Sequence, residues 1–136
     1  MAHNKVYYQS NGAKPVADLL VCRKGEIPDG GTRIVRSGEI EVGIVFHKGE
    51  YFAYQNRCPH QGGPACEGMK LPQIVENIGE KGVHLGMVYD EADMHIVCPW
   101  HGWEFHLKDG CHVIDKRQRL RKFPVTERGD EVYVSI

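Results

Sequence analysis

Short apolar segments that alternate with a period of two, each stopped by a glycine- or proline-bearing turn, constrain this chain more than any other feature. From Glu39 to His47 the residues Ile40, Val42, Ile44 and Phe46 fall on one face, the pattern of a strand and not of a helix. Lys48-Gly49-Glu50 turns the chain, and Tyr51 to Arg57 returns with aromatic strand formers. Asp18 to Cys22 and Arg33 to Arg36 read as strands on either side of the Ile27-Pro28-Asp29-Gly30-Gly31 turn. Trp103 to Leu107 turns through Lys108-Asp109-Gly110 into Cys111 to Val113, and Leu120 to Thr126 turns through Arg128-Gly129-Asp130 into Glu131 to Ser135. The expected fold is all-β, a small antiparallel barrel or sandwich. Two pieces are weaker in pattern: Val6-Tyr7-Tyr8 is expected as a first edge strand, and Met94 to Val97 as a short one. Pro72 to Glu80 is expected to hold one or two helical turns, since Gly68, Gly79, Gly82 and Gly86 exclude a long helix.

The chain has 136 residues, the size of a single domain spanning 1–136 that buries enough surface to fold without disulfides. Seventeen basic residues face eighteen acidic ones, a balance that argues against a nucleic-acid partner, which would demand a positive excess. The longest apolar runs, Val16 to Val21 and Gly43 to Phe46, are far short of a membrane span. The opening Met-Ala-His-Asn-Lys lacks the layout of a secretory signal, so a cytoplasmic location without a membrane partner is expected. In that setting five cysteines and eight histidines point to metal ligation before disulfides.

Two loops concentrate those residues: Cys58-Pro59-His60-Gln61-Gly62-Gly63-Pro64 and Cys98-Pro99-Trp100-His101-Gly102-Trp103. Each offers one thiolate and one imidazole, at spacings Cys-x-His and Cys-x-x-His. Together they make two sulfur and two nitrogen donors, a complete metal site. Prolines and glycines suit stiff loops whose backbone approaches a bound group closely.

With these motifs the sequence resembles the Rieske iron–sulfur proteins, and most nearly their soluble ferredoxin and oxygenase branch, over about residues 17 to 135. The resemblance implies a Rieske-type fold with a two-loop cluster-binding subdomain at about 57–104 and a [2Fe–2S] cluster. Cys58 and Cys98 would hold one iron and His60 and His101 the other. It also implies protein redox partners, a reductase and a terminal oxygenase of the aromatic-ring-hydroxylating type. On its own the chain would not be an enzyme, because it leaves no room for a catalytic domain. Between His60 and Cys98 lie 37 residues, more than short ferredoxins of this kind place there, so an inserted segment is expected at about 67–91.

Mixed ligation has a physical consequence. Two ferric ions, two sulfides and two thiolates sum to about zero charge when the remaining ligands are neutral imidazoles. An added electron is therefore easier to accept than with four thiolates, and potentials fall in a window of roughly −150 to +300 mV. In the respiratory branch an extra cysteine in each loop forms a bracing disulfide; here Trp100 stands where one would be, and Gly102-Trp103 supplies no hydroxyl donor. The low end of the window is expected.

Other readings of the same residues remain open. The chain could be a bound small subunit of a larger oxidoreductase, such as a nitrite reductase, or a zinc module using the same four donors. Cys22 and Cys111 are expected as small core residues, and Cys66 as a free, partly covered loop thiol. His47, His84, His95, His106 and His112 lack a partner at ligand spacing and read as surface or strand histidines. Trp103 is expected to shield the cluster. The basic run from Lys116 to Lys122 reads as a solvated turn and edge strand, or as a steering patch for an acidic partner.

Overall fold

A computed structural model describes residues 4–6, 18–78 and 84–136, with side chains described over 18–72 and 93–136. In chain order its strands are β1 (Asn4–Val6), β2 (Asp18–Arg23), β3 (Thr32–Ser37), β4 (Ile40–His47), β5 (Glu50–Gln55), β6 (Lys70–Ile78) and β7 (His84–Val97). They continue with β8 (Glu104–His106), β9 (Lys122–Phe123), β10 (Val125–Arg128) and β11 (Glu131–Ser135), and a 3-10 turn covers Ala65–Glu67. No described helix is long and apolar enough to cross a membrane.

Every strand pairing among the described residues is antiparallel. Three sheets result, in the orders β1-β10-β11-β2, β3-β4-β5-β9 and β6-β7-β8. The middle sheet is covered on both faces. Val42 and Ile44 of β4, with Tyr51 and Ala53 of β5, pack against Val132 and Val134 of β11 and Val125 of β10. Val45 and Tyr54, one residue out of step, turn to the other face and pack with Ile96, Phe105, Leu107 and Leu120. The one apolar face seen in the sequence of β4 is thus half of a strand buried on two sides. Since successive side chains alternate, one hairpin serves two cores, and the second core carries the loops described below.

The segment expected to be helical is the strand β6, paired with a β7 far longer than Met94 to Val97. Leu71, Ile74, Val75 and Ile78 recur at helical spacing, which is why the local pattern misleads. The ladder shifts register between Pro72 and Gln73 and again between Glu76 and Ile78. The extra residues at each irregularity fall on β7, and cross-strand hydrogen bonds override a local helical pattern. The first edge strand exists as Asn4–Val6; Tyr7 and Tyr8 lie outside the described residues, as does part of 67–91.

Cys22 is a core residue as expected, and Cys111 is half-buried. Cys66 is not partly covered: it is fully buried beside Tyr54, whose carbonyl accepts from its Sγ at 3.5 Å. Burial pushes its thiol up to about 12. The reason is a close approach, since a Cβ on Gly43 would lie 2.3 Å from Cys66 Cβ. Only glycine lets the 3-10 turn seat on β4.

Candidate metal centre

The site grows from two turns with the same backbone wiring. In the first, the Cys58 amide donates to the Gly63 carbonyl at 2.7 Å and the Gly62 amide to the Cys58 carbonyl at 2.8 Å. In the second, the Cys98 amide donates to the Trp103 carbonyl at 2.8 Å and the Gly102 amide to the Cys98 carbonyl at 2.9 Å. Gly62 and Gly102 take the equivalent place in each turn, with φ of 78° and 73°, a conformation that side chains with a Cβ resist. Each cysteine therefore stands at the base of an identical reversal. The histidines leave at different points of that reversal, two residues on in one loop and three in the other.

The four predicted residues come together. Cys58 and Cys98 are each 2% exposed, and burial, followed by the nearby Cys98 thiol, holds the Cys58 thiol above its ordinary value, against the pull of the His60 and Gln61 amides. His60 and His101 are exposed, with ring centroids 4.8 Å apart and nearly perpendicular planes. Sulfur lies inside and nitrogen at the surface.

Neighbours hold this arrangement in place. Trp103 does not merely shield: its ring stacks on His60 at 4.4 Å with planes 10° apart, and touches His112 at 4.7 Å. Trp100 is 57% exposed and lies over the first loop, where a Cβ on Gly63 would stand 2.8 Å from its ring and 3.1 Å from Cys98 Sγ. Asn56 ties the two ends of the first loop. Its amide and side-chain nitrogens donate to the Glu41 carbonyl and carboxylate, each at 2.7 Å, and its Oδ1 accepts from the Cys66 amide at 2.8 Å. Its Nδ2 also reaches Glu67 at 3.2 Å.

The basic run is partly drawn to the same place. Arg119 and Arg121, with Arg57 from the strand exit, line a groove of about 560 Å³ together with Cys58, His60 and Gln61. Sequence spacing alone did not reveal that juxtaposition, because β9 reaches β5 only through long-range pairing.

Two soft sulfurs kept from water beside two imidazoles at the surface, on stiff loops, fit a dinuclear iron–sulfide core. Fold and donors together define a small β protein with a two-loop iron–sulfur site. The family model for the Rieske [2Fe-2S] domain matches residues 17–124, and the chain belongs to that family. Its cofactor is accordingly a [2Fe–2S] cluster. The chain is 28% identical over 114 residues to the ferredoxin component of the alkene monooxygenase system of Xanthobacter autotrophicus, covering 84% of this chain and 77% of that protein. It is 25% identical over 122 residues to the 3-phenylpropionate/cinnamic acid dioxygenase ferredoxin subunit of Photorhabdus laumondii, covering 89% and 96%. Among solved structures, the ferredoxin of carbazole 1,9a-dioxygenase from Nocardioides aromaticivorans shares the fold, with a TM-score of 0.62 at 18% identity over 90% of this chain and 98% of that one.

Proposed function

We propose that this chain is a cytoplasmic Rieske-type ferredoxin, a one-electron carrier from a reductase to a terminal oxygenase of the aromatic-ring-hydroxylating type. Cys58 and Cys98 hold one iron, and His60 and His101 hold the other. The observation that carries this reading is the pair of equivalent turns, which put two buried thiols behind two exposed imidazoles. Names of the relatives point the same way, both being ferredoxin parts of oxygenase systems.

When bound, the cluster stores one electron without any bond in the protein being made or broken. The chain's own residues do the rest. The buried cysteines keep solvent from the sulfur side, while the histidine edges give an electron the shortest route to a partner. Trp103 fixes the plane of the His60 ring by stacking on it. Arg57, Arg119 and Arg121 surround that edge with positive charge, which steers an acidic docking face and raises the encounter rate. The stretch at about 67–91, which includes all of β6 and part of β7, is the inserted segment of a single domain that covers 1–136.

Two measurements test the proposal. The reduced protein should show a low-temperature electron paramagnetic resonance spectrum with an average g value below that of four-thiolate clusters. Added in substoichiometric amounts to a matching reductase and oxygenase, it should support many oxygenase turnovers per carrier. Co-elution in fixed stoichiometry with a larger subunit, and no turnover as a free carrier, would favour the bound-subunit role instead.

A further inference from the structure

On the third sheet, outside the two loops, a second group of side chains that could hold a metal ion converges. His95 and His106, expected from the sequence as surface or strand histidines with no partner at ligand spacing, stand directly opposite one another on β7 and β8. Asp93 lies two residues before His95 and Glu104 two before His106, so the strand period puts all four on one face. Carboxylates sit on the diagonals: Asp93 Oδ1 is 2.8 Å from His106 Nδ1, and Glu104 Oε1 is 3.2 Å from His95 Nδ1. The signal in the sequence is the pair Asp93-Met94-His95 and Glu104-Phe105-His106, acid-x-His on neighbouring strands.

The environment of His95 makes this more than an ion-pair ladder. Its side chain is 4% exposed. In the tautomer whose Nδ1–H donates to Glu104, the ring presents a lone pair on Nε2. That nitrogen is buried and has no hydrogen-bond partner, yet it faces Asp93 Oδ1 at 3.4 Å. A lone pair opposite a carboxylate oxygen leaves room for a cation that both could bind. Donors bound to zinc at roughly 2.0–2.1 Å in a tetrahedron stand about 3.3–3.4 Å apart, which matches this separation; His106 Nδ1, 2.8 Å from the same oxygen, would draw back to that spacing or turn its Nε2 to the ion. One ligand atom from each of Asp93, His95 and His106 lies within 4.8 Å of the others. Asp93 and His106 also line a groove of about 590 Å³, giving an ion an entry path and a fourth position for water.

We propose that Asp93, His95 and His106 form a second metal site, separate from the iron–sulfur centre, for a divalent transition cation of the zinc type. Two imidazoles and a carboxylate are a donor set for such ions rather than for calcium or magnesium. Glu104 orients His95 from behind and raises its basicity, the usual role of a carboxylate on the far nitrogen of a ligating imidazole. The cation joins β7 to β8 just below the second loop, whose Cys98 follows β7 and whose Trp103 precedes β8.

The test is calorimetric titration of Zn²⁺ into the chelator-treated, cluster-loaded full chain. The wild type should take up one equivalent at this site, and Asp93→Asn and His106→Gln should each lose it with the visible spectrum unchanged. Glu104→Gln should keep the site but bind about 10–100-fold more weakly. In the wild type alone, saturating Zn²⁺ should raise the temperature at which cluster absorbance is lost. No uptake by the wild type, no such rise, or uptake unchanged in the Asp93 and His106 variants would overturn the proposal.

Discussion

Asn56→Ala probes how the first loop is held, because one side chain bridges both of its ends. Asn56 is 7% exposed. Its Oδ1 is the partner of the Cys66 amide, inside a core where Cys66 is itself fully buried. Alanine leaves that amide unsatisfied, at about 1–3 kcal/mol. It also removes donors to Glu41 and Glu67, contacts that are partly solvated and add about 1 kcal/mol. The sum is about 2–4 kcal/mol. Unfolding entropy for a chain of this length is roughly 0.3 kcal/mol/K, so the melting midpoint should fall by about 7–14 °C. Thermal melts followed by far-ultraviolet circular dichroism and by visible cluster absorbance measure it. Asn56→Asp separates the contributions: it keeps the acceptor for Cys66 but sets a carboxylate against Glu41 and Glu67. That variant should be weakened at pH 7 and recover part of the loss near pH 4–5, as the added carboxylate takes up a proton. A shift below about 2 °C for the alanine variant would refute the idea that this side chain carries the loop.

Cys58→Ser and Cys98→Ser should each abolish cluster absorbance, and a variant retaining the full visible spectrum would remove that residue from the ligand set. Arg119→Glu with Arg121→Glu should slow reduction of an acidic partner by about tenfold or more at 10 mM salt, with the difference shrinking toward 1 M as the Debye length falls from roughly 30 to 3 Å; a salt-independent rate in stopped-flow would remove the steering role. The Cys66 thiol, held up to about 12 by burial, stays protonated in the folded chain over a range where the unfolded chain releases its proton. Its contribution is therefore complete below the unfolded value near 9 and is lost as pH rises from 9 toward 12, at up to about 1.4 kcal/mol per pH unit. Melting midpoints from pH 8 to 11 should show a steeper fall in the wild type than in Cys66→Ala, and parallel slopes would contradict it. Asp18 is held below the usual carboxylate range by hydrogen bonds from Ser135 and then Arg128. That stability is present above pH 4 and lost below it, so Asp18→Asn should flatten the acid limb of the melting profile slightly, the group being well exposed.

The sequence by itself determined the chemistry at the two loops and the β class. Cysteine, histidine, proline and glycine at fixed short spacings are local information, and a tight turn is built from residues that are neighbours in the chain. Alternation around Lys48-Gly49 likewise identified the β4–β5 hairpin, since a two-residue reversal needs no distant partner. Only the tertiary structure decided that β4 is buried on both faces, because a second sheet had to arrive before Val45 had a core to enter. Only it made a strand of residues 70–78, where the sequence shows no period of two and the partner strand supplies the hydrogen bonds. The same holds for the arginines beside His60, and for the way Asp93, His95, Glu104 and His106 close on one another. Such groups are separated along the chain and meet through strand pairing, so their chemistry depends on a register that no local pattern encodes.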